Sequence, residues 1–266
     1  MGLGKKGEFM KSRSLAPFLF FLLLLTAPSF ANAPRGGYPA LEVSYKQEVH
    51  AEGFDDTYQN LLSEMIIVSK KLPPFLKKEK LSRTGKRQYL RKEVANLRKR
   101  YLELDHKIAI YKPVFDLKES LKTMYLKGAT QSVDENVLNE ESLRLSIGLM
   151  DEIGRLKQKY KSFSIPIVHN MLIDVGIKKR GACKHWAEDL LDYMRPISRQ
   201  FFSITWGEAN PKKFNEHNVA VIYPNYSEFA DGLIIDPWRT SGKPYWITVK
   251  DDHHYKWQKW ALYSVY

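Results

Sequence analysis

Cysteine is almost absent from this chain: Cys183 is the only one in 266 residues. A lone thiol cannot close an internal disulfide, so stability has to come from packing. Apolar runs are scarce as well. The main one, Leu15 to Thr26, is too short for a comfortable membrane span. It holds no cysteine, which excludes a lipid-modified cysteine anchor at that position. Tryptophan is missing from the first 185 residues, and all six lie at or beyond Trp186. No repeat of fixed period is visible, and no base-reading motif accompanies the positive charge.

The first residues form a targeting pattern. Lys5, Lys6, Lys11 and Arg13 precede the apolar run, and small residues follow it at Ser29, Ala31 and Ala33. This is the arrangement of a secretory signal. Cleavage after Ala31 is favoured, because a cut after Ala33 would place Pro34 next to the scissile bond. An uncleaved N-terminal anchor is the alternative. Removal of residues 1–31 leaves 235 residues, enough for one sizeable core plus a smaller appended domain. The expected product is exported, periplasmic or extracellular, without a membrane span in the mature chain. A leftover thiol in an oxidising compartment risks mispairing, so its presence calls for a reason. The alternative is an inert, buried cysteine.

From Asp55 to about Pro166 the pattern is helical. Tyr58, Leu61, Leu62, Met65 and Leu72 recur at helical spacing, and Pro73-Pro74 predicts a stop. Leu90, Val94, Leu97, Tyr101, Leu104 and Ile108 predict a long amphipathic helix ending before Pro113. Leu138, Leu145, Leu149, Leu156 and Tyr160 predict a third, with Asp134 as N-cap. Three single-striped helices should bundle. Residues 32–162 are therefore expected to be a helical region, with a boundary near Ser162 to Pro166.

The positive charge is concentrated there. Lys70 to Arg100 holds thirteen Lys/Arg against two Glu. A solvated helix face explains this most simply. Docking on an anionic envelope surface is the sharper reading, and export argues against nucleic acid as a partner.

After Pro166 the character changes. Ile167 to Val175 predicts a short helix closed by Gly176, followed by the basic loop Lys178-Lys179-Arg180. From Cys183 onward, Trp186, Ala187, Leu190, Leu191 and Met194 share one helical face until Pro196 ends it. Cys183 therefore opens a helix, where the macrodipole and unpaired backbone amides favour an anion. His217 opens an apolar, strand-like run, and Asp236-Pro237 closes another. A thiol, an imidazole and a carboxylate at the edges of three separate elements suit thiolate acyl chemistry. Cys183 would be the nucleophile, His217 the base and Asp236 the group that orients the imidazole. The Cys183 amide would be one oxyanion donor, with Trp206 and Asn170 as candidates for a second. The same three side chains are also zinc ligand types. No convincing fourth ligand accompanies them, since His185 would project about 200° away from Cys183 on a helix. No metal or cofactor is expected. The Asp251-Asp252-His253-His254 run offers metal-ligand types, and an adjacent His pair on a surface turn is the simpler reading. Trp246, Trp257 and Trp260 read as an aromatic substrate platform or, for at least two of them, as core.

At these residues the chain resembles the transglutaminase-like cysteine enzyme superfamily. The likeness rests on Gly181, Cys183 and Ala187 in a Gly-x-Cys-x-x-x-Ala pattern, then His217 opening a strand, then Asp236-Pro237 ending one. It covers residues 163 to 250. Val219 stands where family members commonly carry an aromatic residue. The resemblance implies a papain-like fold with a Cys183–His217–Asp236 triad. The expected fold is α+β: the helical region, then a transglutaminase-like domain over 163–266 with an antiparallel sheet. The expected activity is cleavage of a peptide or isopeptide bond in a protein or peptide substrate, through a Cys183 thioester. Transamidation (cross-linking) by the same triad, and a catalytically inactive envelope scaffold, are the alternatives.

Overall fold

Helix dominates the described residues between Tyr45 and Tyr160, as the three-and-four apolar spacing requires. The computed structural model of the protein describes residues 44–81, 84–161, 173, 176, 179–213 and 215–261. The expected signal segment 1–31, the boundary at 162–166 and almost all of the short helix expected at Ile167–Val175 lie outside the described residues. Five α-helices are present among the described residues: α1 (Tyr45–Glu48), α2 (Phe54–Leu81), α3 (Thr84–Gly128), α4 (Glu135–Tyr160) and α5 (Cys183–Met194). None is long and apolar enough to cross a membrane.

Two expected stops are absent. Helix α2 runs through Pro73 and Pro74, and α3 runs through Pro113. Each proline removes one intrahelical bond, and its surroundings offset the loss. Pro73 and Pro74 are exposed, which leaves the freed carbonyls of Ser69 and Lys70 within reach of water. Pro113 is buried where α3 packs against both α2 and α4, so tertiary contacts outweigh local propensity. Phe54 stacks on Tyr111 at 5.4 Å and Tyr58 meets Phe115 at 4.6 Å, which fastens α2 to α3 on either side of that proline.

The third helix follows its sequence signals closely. The Asp134 carboxylate accepts from the Asn136 and Val137 amides at 3.0 and 3.3 Å, capping α4. Leu138, Leu145, Leu149, Leu156 and Tyr160 are all buried. Gly148 allows a close approach: a Cβ there would lie 2.5 Å from the Tyr193 hydroxyl oxygen, so glycine lets α5 lie against α4. Glu141, buried on α4, accepts from the Gln200 and Phe201 amides at 2.7 and 3.1 Å and so ties the start of the sheet to this helix.

The strands are β1 (Phe202–Ala209), β2 (His217–Pro224), β3 (Leu233–Ile235), β4 (Trp246–Thr248) and β5 (Trp257–Lys259). They form one antiparallel sheet in the order β4-β3-β2-β1-β5. The mixed helix and antiparallel sheet architecture is α+β. Side chains alternate between faces. Ile204, Ala220, Ile222, Leu233, Ile235 and Trp246 join α1–α5 in one continuous apolar core. Val219, Val221 and Ile234 build a smaller cluster on the other face with Phe229, Ile247 and Trp257. The helical region and the sheet therefore share a core.

The basic segment spans the facing ends of α2 and α3. Leu90 and Val94 are buried, whereas Arg91, Lys92, Arg98 and Lys99 are exposed. Arg100 turns back instead and grips Glu64 of α2 with two bonds of 2.6 Å.

Candidate active site

The turn before Cys183 explains the glycine of its motif. Gly181 has φ 119°, a left-handed backbone value that a side chain would strain. Ala182, the N-cap of α5, is extended and has no side-chain oxygen to offer. His185, three residues on, makes the reciprocal contact instead: its Nδ1 accepts from the Gly181 and Ala182 amides at 3.1 and 3.2 Å. Burial, then the charges of Arg180 and Lys184, lower the His185 pKa below its ordinary value, with Glu188 and Asp189 acting the other way. The ring is thereby kept a neutral acceptor. The sequence points His185 away from Cys183, as a rim or packing residue; the structure makes it the acceptor that holds the loop carrying the thiol. The available signal was its place at N3, where a capping box carries its reciprocal acceptor.

Helix α5 itself fastens the loop, and Tyr160 of α4 braces the same helix end. Arg180 bonds Glu188 at 2.6 Å and Asp189 at 3.0 Å. The Tyr160 hydroxyl reaches Asp189 at 2.5 Å and the His185 carbonyl at 3.2 Å.

The three expected site residues come together at one end of the sheet. His217 begins β2, and Asp236 follows β3 directly. Because Ala220 pairs with Ile235, Asp236 falls beside Val219, on the face that His217 shares. His217 Nε2 lies 2.7 Å from Asp236 Oδ2. The Cys183 Sγ lies 4.0 Å from the Glu216 carbonyl oxygen, over the start of the same strand. His217 Nδ1 is buried and has no hydrogen-bond partner among the described residues. It is the ring nitrogen that Asp236 does not engage, and Cys183 is near enough to act on the imidazole.

The site is dry. Cys183 is 5 % exposed, His217 1 % and Asp236 2 %. Trp238, Tyr255 and Trp257 surround the imidazole with ring centroids at 4.8, 4.8 and 5.5 Å. Burial alone would lower the His217 pKa. The charge and hydrogen bond of Asp236, followed by the influence of Cys183, overcome it and raise the value to about 9. Burial likewise works against the Asp236 charge, but His217 and then Arg239 hold its pKa below the usual carboxylate value.

A second layer, not legible in the sequence, lies behind the carboxylate. Arg239 Nε donates to Asp236 Oδ2 at 2.8 Å and its backbone amide donates to Oδ1 at 3.2 Å. The far side of the guanidinium grips buried Asp252 at 2.6 and 3.2 Å. Asp252 also accepts from the Trp257 indole at 2.9 Å. The Asp251–His254 run is thus a surface turn at three positions and a buried anchor at Asp252.

Two further expectations change. The Trp206 indole donates to Asn218 Oδ1 at 2.8 Å, so it is committed to its neighbour rather than presented as an oxyanion donor. Asn170, the other candidate, lies outside the described residues. Of the three late tryptophans, Trp246 is fully buried and donates to Ser120 of α3 at 3.2 Å. Trp257 lies against His217, and Trp260 packs on Trp206 at 5.1 Å. Val219 is buried in the smaller cluster. Among the described residues, no group of three or more His, Cys, Asp or Glu is arranged to hold a metal ion.

No protein-family model, curated protein or solved structure matches the chain.

Proposed function

We propose that the protein is a transglutaminase-like cysteine enzyme, on a papain-like version of the α+β architecture, that cleaves an amide bond in a protein or peptide through a thioester at Cys183. The observation that carries this reading is a lone thiol at a helix N-terminus beside a buried imidazole that a carboxylate holds at 2.7 Å. In the reaction, the Cys183 thiolate attacks the carbonyl carbon, and the oxyanion forms against the Cys183 amide at the positive end of α5. The Gly181 and Ala182 amides are already committed to His185. Collapse of the intermediate breaks the C–N bond, and the His217 imidazolium gives its proton to the departing amine. The neutral imidazole then takes a proton from water as it attacks the thioester, releasing the acid and returning sulfur as thiolate beside imidazolium. An amine in place of water would give transamidation by the same steps. Asp236 keeps the imidazole oriented and stabilises its charged form.

Trapping tests this reading. After brief exposure to an activated ester and an acid quench, the intact protein should carry one acyl group, located on Cys183. The Cys183→Ala protein, equally folded by circular dichroism, should carry none. An acyl group retained in Cys183→Ala would sink the mechanism.

The burial of Cys183 favours a second reading, an envelope binding or scaffold module in which the thiol is only a small apolar filler. In that case the wild-type protein would show no acyl group either.

The exposed charges on α3 support a site of action at an anionic envelope surface after export. Binding to anionic vesicles should be strong at low salt and fall steeply as the Debye length shrinks from ~30 Å at 0.01 M to ~8 Å at 0.15 M. Replacing Arg91, Lys92, Arg98 and Lys99 together by Gln should weaken it without changing helix content, because all four lie outside the buried stripe. Equal vesicle binding by wild type and variant would return the segment to a solvated helix face.

A further inference from the structure

Asp236 Oδ2 receives two donors, His217 Nε2 at 2.7 Å and Arg239 Nε at 2.8 Å. Arg239 cannot drift from this position. Its opposite edge is forked onto Asp252, which is 5 % exposed and itself held by the Trp257 indole at 2.9 Å. Trp257 in turn lies against the His217 ring. The circuit closes: imidazole, carboxylate, guanidinium, carboxylate, indole, imidazole. We propose that Arg239 is the positioning residue of this site, clamping the Asp236 carboxylate against His217 and limiting how strongly that carboxylate holds the imidazole proton. The inference rests on the proposed catalytic reading of Cys183, His217 and Asp236.

The physical argument concerns charge sharing at one oxygen. A carboxylate facing only His217 would direct its full charge at the imidazolium. With a fixed guanidinium on the same oxygen, part of that charge is offset, and the ring gives up its proton more readily. A base that has to take a proton from water and then return one to a leaving group works best when its affinity lies between extremes. The Asp252 charge tempers the guanidinium in turn, so the two carboxylates and one arginine set the field jointly. The titratable groups facing the imidazole are Cys183 of α5, Asp236 after β3 and Tyr255 before β5, with Arg239 and then Asp252 standing behind Asp236. Tyr245, before β4, faces Arg239.

The test is the titration of the His217 ring by NMR in the full-length protein and its variants. Arg239→Gln removes the charge and should raise the His217 midpoint by about one pH unit. Arg239→Lys retains the charge and should leave the midpoint near the wild-type value. Asp252→Asn leaves the guanidinium uncompensated and should lower it. An unchanged or lowered midpoint in Arg239→Gln overturns the proposal. If that variant does not fold, an unchanged or raised midpoint in Asp252→Asn overturns it. Packing alone would not produce opposite shifts from the two ends of one ion pair. Acylation of wild-type Cys183, measured separately, decides the catalytic reading. A silent thiol with the expected shifts would retain the clamp and remove its catalytic purpose.

Discussion

Replacing His217 by Ala should slow acylation of Cys183 by about 10²- to 10⁴-fold, the range over which a positioned acid–base group contributes. The variant loses the imidazolium that raises thiolate availability next to sulfur, and it also loses the proton donor for the leaving group. It keeps the helix N-terminus and the Cys183 amide, so a residual rate should remain, whereas Cys183→Ala should have none. The comparison is made by stopped-flow release of the leaving group from an activated ester, with acylation located by mass spectrometry. An activated ester needs little help to expel its leaving group, so the loss with an amide substrate should be the larger. Equal acylation rates in wild type and His217→Ala would remove the imidazole from the mechanism and leave Cys183 as an ordinary, unactivated thiol.

Asp236→Ala should be the most destabilising single change at the site, by about 3–5 kcal/mol, because it strips a buried imidazolium and a half-buried guanidinium of their shared partner. Asp236 is 2 % exposed, so water cannot take over its role without rearrangement. The sequence alone suggests only a moderate loss of turnover on removing an orienting group. The ion pair with Arg239 makes stability the larger effect, and urea unfolding at constant slope would measure it. Asp236→Asn, which keeps an acceptor, should cost less and is the variant to use for rates. The pH dependence has a definite sign. His217 binds its proton more tightly when folded, up to about 9, than when unfolded, near 6.5. Its contribution is complete below about pH 6.5 and is lost as pH rises through about 9. Asp236, held below the usual carboxylate value against the opposing effect of burial, contributes above that range and loses its contribution as pH falls through its folded value. Wild-type stability should therefore decline on the alkaline side between these His217 values, and the decline should flatten in Asp236→Ala.

Much of this arrangement is legible in the residues, and the parts that are not have a common origin. The α4 cap at Asp134, the buried stripe of α5 and the placement of Cys183, His217 and Asp236 at element edges are local properties of spacing and turn chemistry. Helices α2 and α3 pass through their prolines because exposed carbonyls at one site and packing on both sides at the other offset a local penalty. Asp252 appears in the sequence as one of four polar residues in a turn. Only the return of the chain beside β3 brings it to Arg239. Trp206 illustrates the opposite case: an indole donor near the site is expected to be available, but Asn218, two strand positions from its cross-strand partner Ala220, has already engaged it. Contacts across the sheet decide these residues, and spacing along the chain does not report them.

The most direct measurement is the rate at which iodoacetamide modifies Cys183 in the native protein across the pH range, read as intact mass because no second cysteine competes. Native protein should react near neutral pH faster than the same chain unfolded in urea, and the advantage should disappear in His217→Ala. Modification that appears only after unfolding, or a native rate that His217→Ala leaves unchanged, would contradict an activated thiol and identify Cys183 as a packing residue.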